Sequence, residues 1–241
     1  MGMRFNVADL QRQFRELETI AGRFLRRGSE NKLSAAADQL DMIARNKHET
    51  RNWQIDDPLR TILSNGDCER DGRGKKLAGC LSFVWTMRSA GNNVVELVDD
   101  GKASTVISIH QIIDEDPAST MDCESNCIQK WNIDVVTSTG APGPTFHAQV
   151  ANKENVPVPR LPSLLISPAD CLDYLLGELF QDRWREHQIG HTRIRSFSRS
   201  QQKRFRALLE EHLVWLDDIG DCSAWSSLKS QRPSENLFLS R

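Results

Sequence analysis

The sequence predicts an α+β fold: an N-terminal helical pair, a central antiparallel sheet of about five strands, and two C-terminal helices packing on it. Three observations carry this. Apolar residues up to about 47 recur at helical spacing. Those from 78 to 152 fall in short β-prone runs parted by turn residues, and those from 167 to 217 return to helical spacing. Strands joined without helices between them pair antiparallel, which separates this order from a doubly wound sheet. The 241 residues suit one large domain, read here as 1–225, with a possible sub-boundary in the loop 65–76 and a flexible tail at 226–241. A chain of this length buries roughly 70% of its unfolded surface and needs no staples.

The first helix is expected over 6–27. Asn6 caps it, Asp9 sits in the first turn, and Leu10, Phe14, Leu17, Ile20, Ala21 and Phe24 share a face. Gly28-Ser29 stops it. A second helix over 31–47 carries Leu33, Ala36, Ala37, Leu40, Ile43 and Ala44, and the short link makes the two antiparallel neighbours. The polar stretch 48–76 is anchored by Trp53 and Ile55. DPLRTIL reads as a helical turn or two, and 65–76 as a loop.

Strands follow within 78–113, with turns at Gly91-Asn92-Asn93 and at Asp99-Asp100-Gly101-Lys102, the latter read as a hairpin turn. An acidic loop covers 114–127. Residues 131–138 and 145–152 then make a hairpin around the turn cluster 139–144. Pro157, Pro159 and Pro162 hold an extended approach to the chain's strongest local signal, Ser167-Pro168-Ala169-Asp170, with N-cap, N1 and N3 residues in place. Leu172, Leu175, Leu176, Leu179, Phe180 and Trp184 form the apolar face of the helix it opens. The last helix, 198–217, is expected to turn Phe205, Leu208, Leu209, Leu213 and Leu216 inward. Leu237-Phe238-Leu239 is a possible docking hook in the tail.

Composition limits the function classes. With 31 basic and 33 acidic residues the net charge is −2, so there is no global bias toward polyanions. The first residues, MGMRFNVADL, lack the apolar core of a secretory signal, and Asn6 stands where a myristoylation site needs Ser or Thr. No apolar run is long enough to span a membrane. The 6 scattered cysteines read as reduced thiols, which with the missing signal gives a cytoplasmic, soluble protein without membrane contact. No GxxxxGK[ST], GxGxxG after a strand, GxSxG or HExxH is present, and no cofactor is expected.

Four constellations merit weighing. On the 131–150 hairpin, His147 and Gln149 share a face, and Asp134 on the partner strand faces them. A histidine with a carboxylate can do acid–base work, and the same pattern also fits a sheet histidine bonded to a neighbour. His187 and His191 stand at metal-ligand spacing, but Gly190 intervenes and a solvated helix end explains them, so no metal site is assigned. Cys68, Cys80, Cys123 and Cys127 miss zinc-knuckle spacing. Finally, residues 183–206 hold eight cations, Arg183, Arg185, Arg193, Arg195, Arg199, Lys203, Arg204 and Arg206, against one acid, Glu186, with Trp184, Phe197 and Phe205 interleaved. That suits phosphate contact with base stacking, a protein interface, or pairing with acids elsewhere in the chain.

The leading expectation is a non-catalytic accessory or adaptor protein acting through a protein partner or a homo-oligomer. The alternatives are nucleic-acid binding through 183–206 and an enzyme centred on His147.

Overall fold

The fold is given by a computed structural model that describes residues 2–47, 49–64, 76–99, 101–112, 127–137, 145–150, 161–217, 220, 223–230 and 232–239. A short strand, β1 (Arg4–Asn6), leads directly into helix α1 (Val7–Ala21). Asn6 Oδ1 accepts the Asp9 backbone N–H at 3.2 Å, giving a partner to one of the amides that a helix start leaves open. The helix ends earlier than the expected 27. A single 3-10 turn (Gly22–Phe24) leads to extended Leu25, because the backbone of Arg26 and Phe24 bonds to Arg60 and Ile62. Gly28, at φ +89°, makes the turn into α2 (Ser29–Arg45). The predicted apolar stripes of both helices are buried apart from half-buried Ala44, and Ala36 and Ala37 let α2 sit close to its neighbours.

Among the described residues the sheet has eight strands, more than the five expected. They are β1, β2 (Thr50–Arg60), β3 (Leu77–Gly91), β4 (Val94–Leu97), β5 (Ala103–Gln111), β6 (Cys127–Val135), β7 (Phe146–Val150) and β8 (Leu161–Pro162). The 15-residue β3 is the spine. It pairs with β2 along one edge and with β4 and then β5 along the other; β1 adds to β4, and β6, β7 and β8 follow β5. All pairings are antiparallel.

Two expectations change here. The segment from 57 on is the end of a strand, not a helical turn, with Thr61 bridged to Leu25. Packing overrides its polar composition: Trp53 and Ile55 alternate inward, and Trp53 Nε1 donates to the Ala36 carbonyl at 2.8 Å. The hairpin turn of this region is at Asn92-Asn93, both at positive φ (50° and 60°), which matches the twist of the strands. Residues 98–102 instead separate β4 from β5, which run in the same direction along β3.

Helices cover one face of the sheet. Helix α3 (Pro168–Gly190) begins with the expected capping box: Ser167 Oγ accepts the Asp170 N–H, and Asp170 Oδ2 accepts the Ser167 N–H. Its Leu172, Leu175, Leu176, Leu179, Phe180 and Trp184 are buried, and Phe24 packs on Phe180 and Trp184 with ring centroids 4.9 and 5.2 Å away. Gly79 of β3 lies directly beneath, where a Cβ would stand 2.7 Å from Leu179 Cδ1.

Helix α4 (Ile194–Asp217) departs from expectation in its rotation. Phe197, Arg204, Leu208 and Trp215 face inward, while Leu209 and Leu213 face water. A short helix, α5 (Ala224–Ser230), packs on α4 through Ser227 Oγ, which donates to the Trp215 carbonyl. The apolar hook folds back on the chain's own core: Phe238 stacks on Phe5 at 5.4 Å and meets Phe146 at 5.8 Å, and Arg4 N–H donates to the Glu235 carbonyl. The loop residues 65–75, the acidic loop up to 126, the turn cluster 139–144 and Pro157 and Pro159 lie outside the described residues.

Candidate functional site

The outer face of the sheet, opposite the helices, is polar. One row across it reads Val84, Ser104, Asp134, His147, Pro162, and the next reads Ser82, Val106, Asn132, Gln149. The ladder therefore brings together the three residues singled out in the hairpin. His147 Nε2 stands 3.5 Å from Asp134 Oδ2, and Gln149 Nε2 donates to that same oxygen at 3.1 Å. The His147 side chain is only 1% exposed, more buried than a half-buried sheet histidine, while Asp134 is 20% exposed. Both border an open concavity of about 420 Å³ together with Lys102, Ser104, Asn132 and Thr137. Thr145, two residues before His147, is buried, and its Oγ1 has no hydrogen-bond partner among the described residues. An oriented imidazole beside a carboxylate is equipped to hold or move a proton. Nothing in the sequence singles out the neighbours Lys102, Ser104 and Asn132, because only the pairing register places them there.

Farther along the same face, His110 Nε2 lies 2.8 Å from Ser108 Oγ, both side chains buried. Burial first, then the charges of Arg60 and Lys130, hold the His110 pKa below its ordinary value, so the neutral ring is favoured. Cys80 is buried nearby, and Cys127 is the ladder partner of His110. The remaining thiols of the four-cysteine set, Cys68 and Cys123, lie outside the described residues. Cys171 is fully buried, and burial together with the adjacent Asp170 pushes its thiol pKa well up, which keeps it unreactive. Among the described residues no cluster of three or more His, Cys, Asp or Glu has the geometry to hold a metal ion.

The arginine-rich segment divides into two sets. Arg204 turns inward, onto the Asp170 carboxylate, and leaves the surface cluster. Arg183 lies over the rings of Phe24 and Phe180, Arg185 pairs with Asp182 one turn back, and Arg193 donates to Thr19 Oγ1. His187, in the final turn of α3, bonds to the Ile20 carbonyl at 2.8 Å and packs on Phe24, so it joins α3 to α1 instead of fraying into solvent. The second set, Arg195, Arg199, Lys203 and Arg206, lies exposed along α4 and makes no ion pair among the described residues.

That outward side of α4 continues into apolar residues. Leu209, Leu213 and Val214 are 45%, 60% and 62% exposed, and Trp225 of α5 is 60% exposed. Large aliphatics on successive turns of one helix form a patch, unlike single exposed side chains scattered over a surface. The stripe spacing of Leu209 and Leu213 predicts core positions, and the structure corrects this. Phe197, Leu208 and Trp215 share the inward side with Arg204, and Leu209 and Leu213 lie away from that side.

Comparison with protein-family models, with curated proteins and with solved structures finds no match for this chain. No helix among the described residues is long and apolar enough to cross a membrane.

Proposed function

We propose that this chain is a non-catalytic accessory protein of the cytoplasm that works by docking a protein partner on the outward face of α4. The observation that supports this most directly is the exposure of Leu209, Leu213 and Val214 on a helix whose opposite side is held in the core by Phe197, Arg204 and Leu208. Burying that row against a partner removes apolar area from water at about 25 cal/mol per Å². The exposed arginines upstream add charge that steers an oppositely charged partner. Size-exclusion of native lysate, with immunodetection of wild type and Leu213→Asp, tests the reading. Wild type is expected in a complex that the variant leaves. Wild type at the monomer position, or a complex indifferent to the substitution, overturns it.

A second reading rests on a separate observation, the contact of His147 with Asp134 at the edge of a concavity large enough for a small metabolite. In that reading His147 is an acid–base group held by Asp134, which Gln149 in turn orients. Ligand-observed NMR with a library of small polar compounds compares wild type with His147→Ala. Hits that vanish in the variant support the site. No hits, or hits that persist in the variant, remove it.

A further inference from the structure

We infer that the occupant of the α4 face is an amphipathic helix of another protein, acidic along one half and apolar along the other. This rests on the docking reading above. The outward row is Arg195, Arg199, Gln202, Arg206, Leu209, Leu213, all exposed. Its steps alternate four and three, the seam spacing by which one helix packs along another. The row spans about 27 Å at 1.5 Å per residue, so it offers about five turns of contact.

The order of residues along the row selects the partner. Its first two-thirds carry three guanidinium groups and an amide, and its last third carries leucines, with Val214 alongside. Two copies of this chain do not satisfy the row. Parallel pairing sets Arg195, Arg199 and Arg206 against themselves, and antiparallel pairing sets Arg195 and Arg199 on Leu213 and Leu209 of the other copy and Arg206 on its Gln202. Both place guanidinium charge in a seam without a carboxylate. A nucleic acid covers only the cationic part and leaves the leucines in water. A helix with Asp or Glu opposite 195–206 and aliphatic residues opposite 209–214 satisfies both parts. The planar guanidinium fork matches carboxylates, and the leucines pack knobs into holes.

The test is fluorescence anisotropy of the full chain with labelled synthetic helices of about 20 residues, long enough for the whole row. One peptide carries glutamates along the first half of one face and leucines along the second. The other has the same composition with the two residue types interleaved. The block peptide is expected to bind at least about tenfold tighter than the interleaved one. Arg199→Glu with Arg206→Glu, and separately Leu213→Asp, should each weaken it at least about tenfold. All these positions are exposed, and circular dichroism confirms that the variants stay folded. Equal binding of the two peptides, or indifference to the charge reversal, overturns the inference. Two further arms locate the failure. Self-association in sedimentation, abolished by Leu213→Asp, keeps the docking reading but replaces the occupant with a second copy. Salt-dependent binding to labelled duplex DNA, lost in the charge reversal and kept in Leu213→Asp, overturns both in favour of nucleic acid.

Discussion

Asp170 of α3 and Arg204 of α4 form an ion pair in which the side chains are 0% and 7% exposed, on the same inward side of α4 as Phe197, Leu208 and Trp215. Asp170 also belongs to the capping box of α3, and Ser167 Oγ lies 2.9 Å from its Oδ2 and 3.2 Å from Gln13 Oε1 of α1. Asp170 and its cap partner Ser167 thus tie together the helix that crosses the sheet, the first helix and the helix that offers the docking row.

Arg204→Met should therefore be severely destabilising. It leaves a buried carboxylate without its cation, at a cost of about 3–5 kcal/mol. The added substitution Asp170→Asn should recover part of the loss, because no bare charge then remains. Urea unfolding of the two single variants and the double variant measures the coupling. Additive losses would show that the two residues do not act as a pair.

Asp173 gives stability a pH dependence of less usual sign. Its Oδ1 accepts Trp184 Nε1 at 2.9 Å and Gln188 Nε2 at 2.8 Å, and its Oδ2 accepts Gln201 Nε2 at 3.0 Å. Burial outweighs these neutral donors and raises the carboxyl pKa. The folded value lies above the unfolded one, so the protonated form is favoured by folding. This contribution is fully present below the unfolded pKa and is lost as pH rises through the folded value. Asp173→Asn keeps the Oδ1 acceptor, and Gln201 can turn its amide to accept from the new one. The variant should be as stable as wild type in acid and more stable at neutral pH. Thermal melts across pH check this, and a variant less stable at neutral pH contradicts it.

His110 acts in the opposite sense. Its folded pKa is depressed, so its contribution is complete above the unfolded value of about 6.5 and is lost as pH falls through the folded value. His110→Gln retains a polar group near Ser108 without the titration. Wild type should lose stability relative to this variant on acidification below about pH 6.5. Parallel acid-unfolding curves would refute the assignment.

Local chemistry makes the helices legible in the sequence. Asn6 and Ser167 cap where capping residues should, and the stripe from Leu172 to Trp184 is buried throughout. The sheet is legible as antiparallel but not in its strand count. β1 is three residues long, and β2 carries a charged, proline-containing sequence that only packing of Trp53 against α2 makes extended. At the candidate sites, the His147, Gln149 and Asp134 grouping follows from period-two alternation, whereas Lys102 and Ser104 depend on strand register. For α4, a stripe rule places Leu209 and Leu213 inside. Phe197, Leu208 and Trp215, spaced 11 and 7 apart, mark the face that is buried instead, and Arg204 falls among them.

Gly79 supplies a last test, of how α3 settles on the sheet. A Cβ at this position would lie 2.7 Å from Leu179 Cδ1 and 2.8 and 2.9 Å from the two δ-carbons of Leu175. All three are side-chain ends in a filled core, so Gly79→Ala should cost about 1–3 kcal/mol through overpacking, not through backbone conformation. Leu175→Ala alone should cost about 2–5 kcal/mol by leaving a cavity. The added methyl of Gly79→Ala points into that cavity, so the double variant should be more stable than the sum of the two losses predicts. Denaturant unfolding of the three variants decides the matter. Strictly additive losses would mean that α3 does not rest on β3 at this glycine.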